Sequence, residues 1–340
     1  MHPFPSSGPG GQADLLSIAD LGPEGIADVV DHAIVLKSRG GAGLAVSHPL
    51  AGKHAALLFD KPSLRTRVSF EVGVHRLGGT TTTMSAADVG LGSREPIGDI
   101  ARTLSRYVDV IVARIHDHDD LVALAADADV PVINALSAWE HPCQALADLV
   151  TLQEHLGGLA GKRLAYVGDG NNVCHSLLLG GAAVGLHVSV ATPIGYGPDP
   201  SVVAEARLLA REHGSSVVVG TDPVAAVHGA DAVYTDVWAS MGFEAEAAAR
   251  ERAFAPFRVT SALLAGAPEA IVMHCLPAHR GHEIDADVID GPASVAFDQA
   301  ENRLYAQQAV ILRLLQRSRS WVAGTARERA GARARVAVGS

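Results

Sequence analysis

The chain has 340 residues, nearly half of them apolar, a formal charge of −10 and three cysteines. At about 150 residues per domain this length predicts two domains with sizeable cores, and the apolar content excludes a disordered chain. The acidic balance argues against nucleic acid or an anionic membrane as the main partner, yet leaves room for a locally basic pocket that takes a small anion. Cys143, Cys174 and Cys275 supply neither a disulfide framework nor the spacing of a structural zinc site, which fits a reducing compartment. The opening MHPFPSSGPGGQ has no basic and apolar regions of a signal peptide and no arginines of a transit peptide. No uncharged apolar run reaches the roughly 18 residues of a spanning helix, so the expected location is the cytoplasm.

In chain order, residues 1–12 are rich in Gly, Pro and Ser and are expected to form a disordered tail. Short apolar runs then alternate with helical patterns. Ala55–Phe59, Val108–Ala113 and Pro131–Asn134 are predicted strands. Phe70, Val74 and Leu77 share one face of a helix after the first, and Ile97, Ile100 and Leu104 share one before the second. A helix over Gln144–Leu156, ended by Gly157-Gly158, links the two halves. The second half has predicted strands at Arg163–Gly168, His187–Thr192, Ser216–Val219, Ala232–Asp236, Ala270–His274 and Ser294–Phe297, with a clear helix over Asp199–His213. A last helix, about Glu301–Arg317, closes the fold. From about Thr325 a second frayed tail is expected, its Arg327, Arg329, Arg333 and Arg335 read as solvated rather than as a nucleic-acid patch. Strands alternating with helices imply an α/β protein with two doubly wound domains, their parallel sheets covered on both faces by helices. Residues 1–147, completed by a terminal helix at about 305–322, would form the first domain, and 148–304 the second.

Ligands in such sheets sit beyond the carboxyl ends of strands, and the unusual residues fall there. After the first strand stands Ser63-Leu64-Arg65-Thr66-Arg67, opening a helix. Hydroxyls, forked guanidinium donors and a helix N-terminus make an anion site; the plainer alternative is a Ser cap with two solvated arginines. Arg114 ends the next strand, where a surface arginine is the ordinary reading. His141 and Gln144, three apart at a helix start, can both reach a carbonyl oxygen, or merely be a capping His and an exposed Gln. Gly168-Asp169-Gly170-Asn171-Asn172 tempts a dinucleotide reading, but Val173 occupies the place of the third glycine, so these asparagines hold a polar substrate or form a turn. Asp236, in Asp236-Val237-Trp238-Ala239-Ser240-Met241-Gly242, can pair with a cationic amine. Cys275, in His274-Cys275-Leu276-Pro277, is a nucleophile, a proton acceptor, a polar contact or a small core residue. Arg303, in Glu301-Asn302-Arg303, is another candidate anion ligand.

Together these elements resemble the aspartate/ornithine carbamoyltransferase family over roughly residues 12 to 318. Ser-x-Arg-Thr-Arg, His-Pro-x-Gln and His-x-Leu-Pro stand in family order and at family spacing. Asp236-x-x-x-Ser240-Met241-Gly242 and His274-Cys275-Leu276-Pro277 resemble the ornithine branch. The resemblance implies a domain for carbamoyl phosphate and a domain for the amine, a homotrimer with active sites near subunit interfaces, no organic cofactor and no metal. It implies transfer of a carbamoyl group from carbamoyl phosphate to L-ornithine, giving citrulline and phosphate, as a step of arginine metabolism. Ser63, Leu64, Arg65 and Thr66 would hold the phosphate, partly through backbone N–H groups. Arg114, His141 and Gln144 would surround the carbamoyl group, with Arg303 completing that site. Asn172, Asp236, Ser240 and Met241 would hold ornithine, and Cys275 would stand beside the reacting centre with the backbone of Leu276.

Two positions depart from the family. It often has Thr where this chain has Leu64, which changes little if the amide is what matters. Many members also have Gln where Gly90 stands before Leu91-Gly92, so no phosphate contact is expected from that loop. Chemically, a neutral amine attacks the carbamoyl carbon, charge develops on the carbonyl oxygen and phosphate leaves. Arg65, Arg114 and His141 suit the stabilisation of that charge. Amine and carbamoyl group can be held side by side, so Cys275 is read as an ornithine contact and candidate proton acceptor rather than a covalent nucleophile. The alternatives are a sister enzyme acting on aspartate, putrescine or an acetylated amino acid, an NAD-dependent oxidoreductase, and a non-catalytic subunit of the same fold.

Overall fold

The computed structural model describes residues 13–38, 48–90, 94–238 and 247–337, without the side chains of 86–87 and 318–337. The expected tail at 1–12 and the predicted ligands Ser240 and Met241 lie outside these residues. In the first half, α1 (Gly22–Ser38) precedes β1 (His54–Phe59), α2 (Leu64–Arg76), β2 (Thr80–Ser85), α3 (Ile97–Leu104), β3 (Val110–Arg114), α4 (His118–Asp127) and β4 (Val132–Leu136). A linking helix, α5 (Pro142–Leu156), leads to β5 (Arg163–Val167), α6 (Asn172–Ala183), β6 (His187–Ala191), α7 (Pro200–Glu212), β7 (Val217–Gly220), β8 (Ala232–Thr235), α8 (Ala247–Phe254), β9 (Ile271–His274) and α9 (Ala296–Ala337). Two parallel sheets result, ordered β2-β1-β3-β4 and β7-β6-β5-β8-β9. In each, the chain winds outward in one direction and then returns to the other side of the first strand. That reversal opens a crevice beyond the strand ends.

The strands are apolar runs because both faces are covered. Along β1, Ala55, Leu57 and Phe59 face a central cluster shared with α1, α2, α5 and α9, while Ala56 and Leu58 face an outer cluster with Ile100, Leu121 and Leu124. β5 repeats the arrangement, with Leu164 and Tyr166 inward and Ala165 and Val167 outward. The linking helix is buried from Pro142 to Leu152, begins at Pro142 and stops at Gly157, whose φ of 70° suits a glycine cap. Truncating Leu146 or Leu149 there to Ala would cost about 2–5 kcal/mol.

Besides helices that the sequence reading did not name, such as Gly22–Ser38 and Asn172–Ala183, three elements differ from it. The predicted strand Ser294–Phe297 is a single bridge, Val272 to Ser294, and the backbone becomes helical at Ala296. Good helix formers, Gln299, Ala300 and Glu301, follow at once and capture it. The last helix, expected over Glu301–Arg317 and then a frayed tail from Thr325, runs to Ala337, in keeping with its Ala and Arg content. The edge strand β2 was not predicted: its threonines favour extended backbone but carry no apolar alternation, since an edge needs little burial. No helix among the described residues is long and apolar enough to cross a membrane.

Candidate active site

A cavity of about 620 Å³ lies where the carboxyl ends of both sheets meet. Every described residue among the predicted ligands lines it: Ser63, Leu64, Arg65 and Thr66 after β1, Arg114 at the end of β3, and His141 and Gln144 at the start of α5. Asn172 after β5, Asp236 after β8, Cys275 and Leu276 after β9, and Arg303 on α9 complete the wall.

The first wall is cationic. Ser63 occupies the cap position of α2, but its side chain makes no capping bond. The first-turn amides of Leu64, Arg65 and Thr66 have no intrahelical acceptor, as at any helix start. Thr66, buried, accepts from two arginines: Arg303 at 2.7 Å and Arg114 at 3.3 Å. Arg114 is carried inward where the ladder to β4 slips between Ala113 and Arg114. Only 9% exposed, it is no surface arginine. Burial, and then the charges of Arg303 and Arg65, bring its pKa down to about 10, so it stays protonated at neutral pH. Arg67 is solvated and pairs with Glu71, so the pair expected at the alternative Ser cap is split between wall and solvent.

His141 is almost fully buried and makes no side-chain capping bond. Burial, followed by Arg303, Arg114 and Arg65, drives its pKa well below the ordinary value. The ring is therefore neutral. Its Nε2 faces a donor, Arg303 Nη1, at 3.4 Å, so the proton belongs on Nδ1, which is buried without a protein partner. Gln144, 1% exposed, is no surface residue either. Its carbonyl oxygen accepts from Arg303, and its Nε2 donates to Asp148 at 2.8 Å.

The second wall is anionic. Asp236 accepts from Asn171 Nδ2 at 2.8 Å and from the Cys275 thiol at 2.9 Å. Burial and the Asp236 carboxylate raise the Cys275 pKa well above its usual value, so it carries a neutral thiol. Asn172 donates to the Ser137 carbonyl at 2.6 Å, which leaves its own oxygen to accept. Leu276 holds a left-handed φ of 56°, unusual for a branched residue. Its N–H is spent on His274 Nδ1 at 2.9 Å, so its carbonyl is the backbone group left for a ligand. Gly170 is required here, because a Cβ would lie 2.1 Å from the nitrogen of Pro198.

Among the described residues one group of potential metal ligands is assembled, Asp236, His274 and Cys275, their ligand atoms within 4.8 Å of one another. His274 already uses Nδ1 on Leu276 and Nε2 on Glu283, and the thiol uses Asp236, so the protein satisfies the group itself.

Sequence reasoning named Asn171 and Asp169 in the motif after β5 without finding their partners, and it missed Asp148 and Arg250. Asn171 resembles an ordinary helix cap and is one, accepting from Val173 and Cys174; its contact with Asp236, 65 residues away, left no local trace. Asp148 lies four residues after Gln144 on a helix that reads as apolar, and that spacing was the available signal. Asp169 and Arg250 form a buried ion pair of 2.7 Å on the second wall, and nothing near either residue announced it.

A cationic and an anionic wall at the junction of two parallel sheets define an enzyme that brings an anion and an amine together. Residues 13–154 match the family model described as aspartate/ornithine carbamoyltransferase, carbamoyl-P binding domain, and residues 160–314 match the model for the Asp/Orn binding domain of the same enzymes. The chain belongs to the aspartate/ornithine carbamoyltransferase family.

Within that family its relatives are narrower in kind. The ornithine carbamoyltransferase of Symbiobacterium thermophilum is 54% identical over 88% of this chain and 96% of its own length. That of Acidothermus cellulolyticus is 55% identical over 88% of this chain and 96% of its own. The solved ornithine carbamoyltransferase of Pyrococcus furiosus superposes with a TM-score of 0.84 at 50% identity, covering 88% of this chain and 96% of that one.

Proposed function

We propose that this chain transfers the carbamoyl group of carbamoyl phosphate to L-ornithine, giving citrulline and phosphate. One observation carries the reading: Arg65, Arg114, Arg303 and His141 line the same cavity as Asp236 and Cys275. The phosphate rests on Ser63, the amides of Leu64, Arg65 and Thr66, and the guanidinium groups. The carbamoyl oxygen accepts hydrogen bonds from the Nδ1–H of His141 and from Arg114, and both contacts strengthen as charge develops on that oxygen. Asp236, with Asn172, binds the α-amino end of ornithine. The δ-amine attacks from the Cys275 side in its neutral form, the C–N bond forms, the C–O bond to phosphate breaks, and the proton lost by nitrogen leaves with the phosphate. The high thiol pKa disfavours Cys275 as a nucleophile.

In this reading residues 1–147, completed by the terminal helix, take carbamoyl phosphate, and 148–304 take the amine. Ser240 and Met241 join Asp236 on the ornithine side. The enzyme works as a cytoplasmic homotrimer in arginine metabolism, without an organic cofactor. Self-association is supported by an exposed apolar stripe on α2: Leu64, Val68 and Val72, 74%, 46% and 37% exposed, recur every four residues beside the phosphate site.

The test is citrulline formation by the purified chain with carbamoyl phosphate and a panel of ornithine, putrescine, aspartate and acetylornithine. Ornithine should be the preferred amine. Preference for any other would overturn the assignment.

A further inference from the structure

The buried face of α5 carries a network that the reaction as described does not use. Asp148 Oδ1 accepts from Gln144 Nε2 at 2.8 Å and from Gln299 Nε2 at 2.7 Å. Gln299 in turn accepts from the backbone N–H of His274 at 2.9 Å, one residue before Cys275. Gln144, on its other side, accepts from Arg303. All three side chains are buried to within 1%.

A guanidinium can only donate. The Gln144 amide, held between Arg303 and the Asp148 oxygen, therefore has one orientation that satisfies both neighbours: oxygen toward Arg303 and the cavity, nitrogen toward Asp148. Turning it over would set N–H against N–H and oxygen against oxygen. We propose that Asp148 is a positioning residue that fixes the Gln144 carbonyl as an acceptor facing the cavity, and thereby selects a carbamoyl group over acyl groups that lack an N–H. The inference rests on the carbamoyl-transfer reading and deepens it. The Gln144 oxygen keeps a second lone pair after Arg303 is served. The –NH2 of a carbamoyl group supplies the donor for it; the methyl of an acetyl group leaves it desolvated and unpaired.

Burial raises the Asp148 pKa to about 7, against the bonds from Gln144, Gln299 and Tyr234. Because both amides use Oδ1, an acid protonated on its other oxygen holds the same arrangement. A shape-conserving amide at 148 should do so too, whereas removal of the acceptor should not.

The experiment measures Kd by calorimetry for carbamoyl phosphate and for acetyl phosphate, which differs by CH3 in place of NH2. The wild-type enzyme should favour carbamoyl phosphate by about tenfold or more, the range of one unpaired buried acceptor. Asp148→Ala should lose most of that ratio, and Asp148→Asn should keep it within about threefold. Should the Ala variant not fold, Asp148→Leu fills the volume without the acceptor and carries the same expectation. Gln144→Met should lose the ratio by itself, and adding Asp148→Ala to it should change the ratio no further. Equal wild-type affinities, an unchanged ratio in Asp148→Ala or Gln144→Met, or loss in Asp148→Asn as deep as in the Ala variant would each overturn the inference. Failure of the wild type to bind carbamoyl phosphate would instead sink the carbamoyl-transfer reading.

Discussion

The two walls of the cavity respond to burial in opposite ways. On the first, burial and mutual repulsion push the pKa of Arg114 and His141 down, yet only the histidine loses its charge at neutral pH. The arginines remain a fixed positive cluster, and the ring between them becomes a neutral donor. On the second wall, burial and Asp236 push the Cys275 thiol up and keep it neutral. One wall is thus preorganised for an anion and the other for a cation. The cost of the first wall shows in buried donors without protein acceptors, Nε of Arg114, Nε of Arg303 and Nδ1 of His141. Such groups favour a ligand that pairs with them.

Breaking the first wall should have the largest effect. Arg65→Ala removes a half-buried guanidinium beside the helix start and should lower kcat/KM by about 100- to 1000-fold, the scale of losing one preorganised charged donor. A folded variant keeping more than about a tenth of wild-type kcat/KM, a loss of only about 1.4 kcal/mol, would contradict this. The second wall should be quieter toward reagents than a catalytic thiol. Alkylation of Cys275 by iodoacetamide should be slow at pH 7–8 and still rising at pH 9, because a raised pKa leaves little thiolate in that range. Rapid-quench mass spectrometry with carbamoyl phosphate alone should show no carbamoylated enzyme. A rate that levels off below pH 8, or a stoichiometric adduct that ornithine discharges, would show that the thiol is activated.

What the sequence made legible follows from locality. Arg65, Arg114, Asp236 and Cys275 each end or follow an apolar strand, so α/β topology alone directs them to one crevice. Arg303 was found although the strand placed before it proved to be helix, since α9 aims it from the other direction. The contact of Asn171 with Asp236 and the Asp169–Arg250 pair stayed hidden because the partners are 65 and 81 residues apart, and no local pattern encodes such a meeting. For Asp148 the four-residue spacing to Gln144 was local, but its bond to Gln299, 151 residues away, was not. The burial of Gln144 was equally unreadable: an amide one turn into a helix is usually exposed, and here two domains close around it.

The division of labour between the walls is tested most directly by Asp236→Asn, which keeps the shape of the side chain and removes its charge. Steady-state kinetics with ornithine and calorimetry with carbamoyl phosphate alone read the two halves separately. The variant should lose about 2–3 kcal/mol in kcat/KM for ornithine, roughly 30- to 150-fold, as a charged partner is left unpaired. Its Kd for carbamoyl phosphate should stay within about threefold of wild type, a difference of less than about 0.7 kcal/mol. Normal use of ornithine by the variant, or an equal loss in both measurements, would contradict the account.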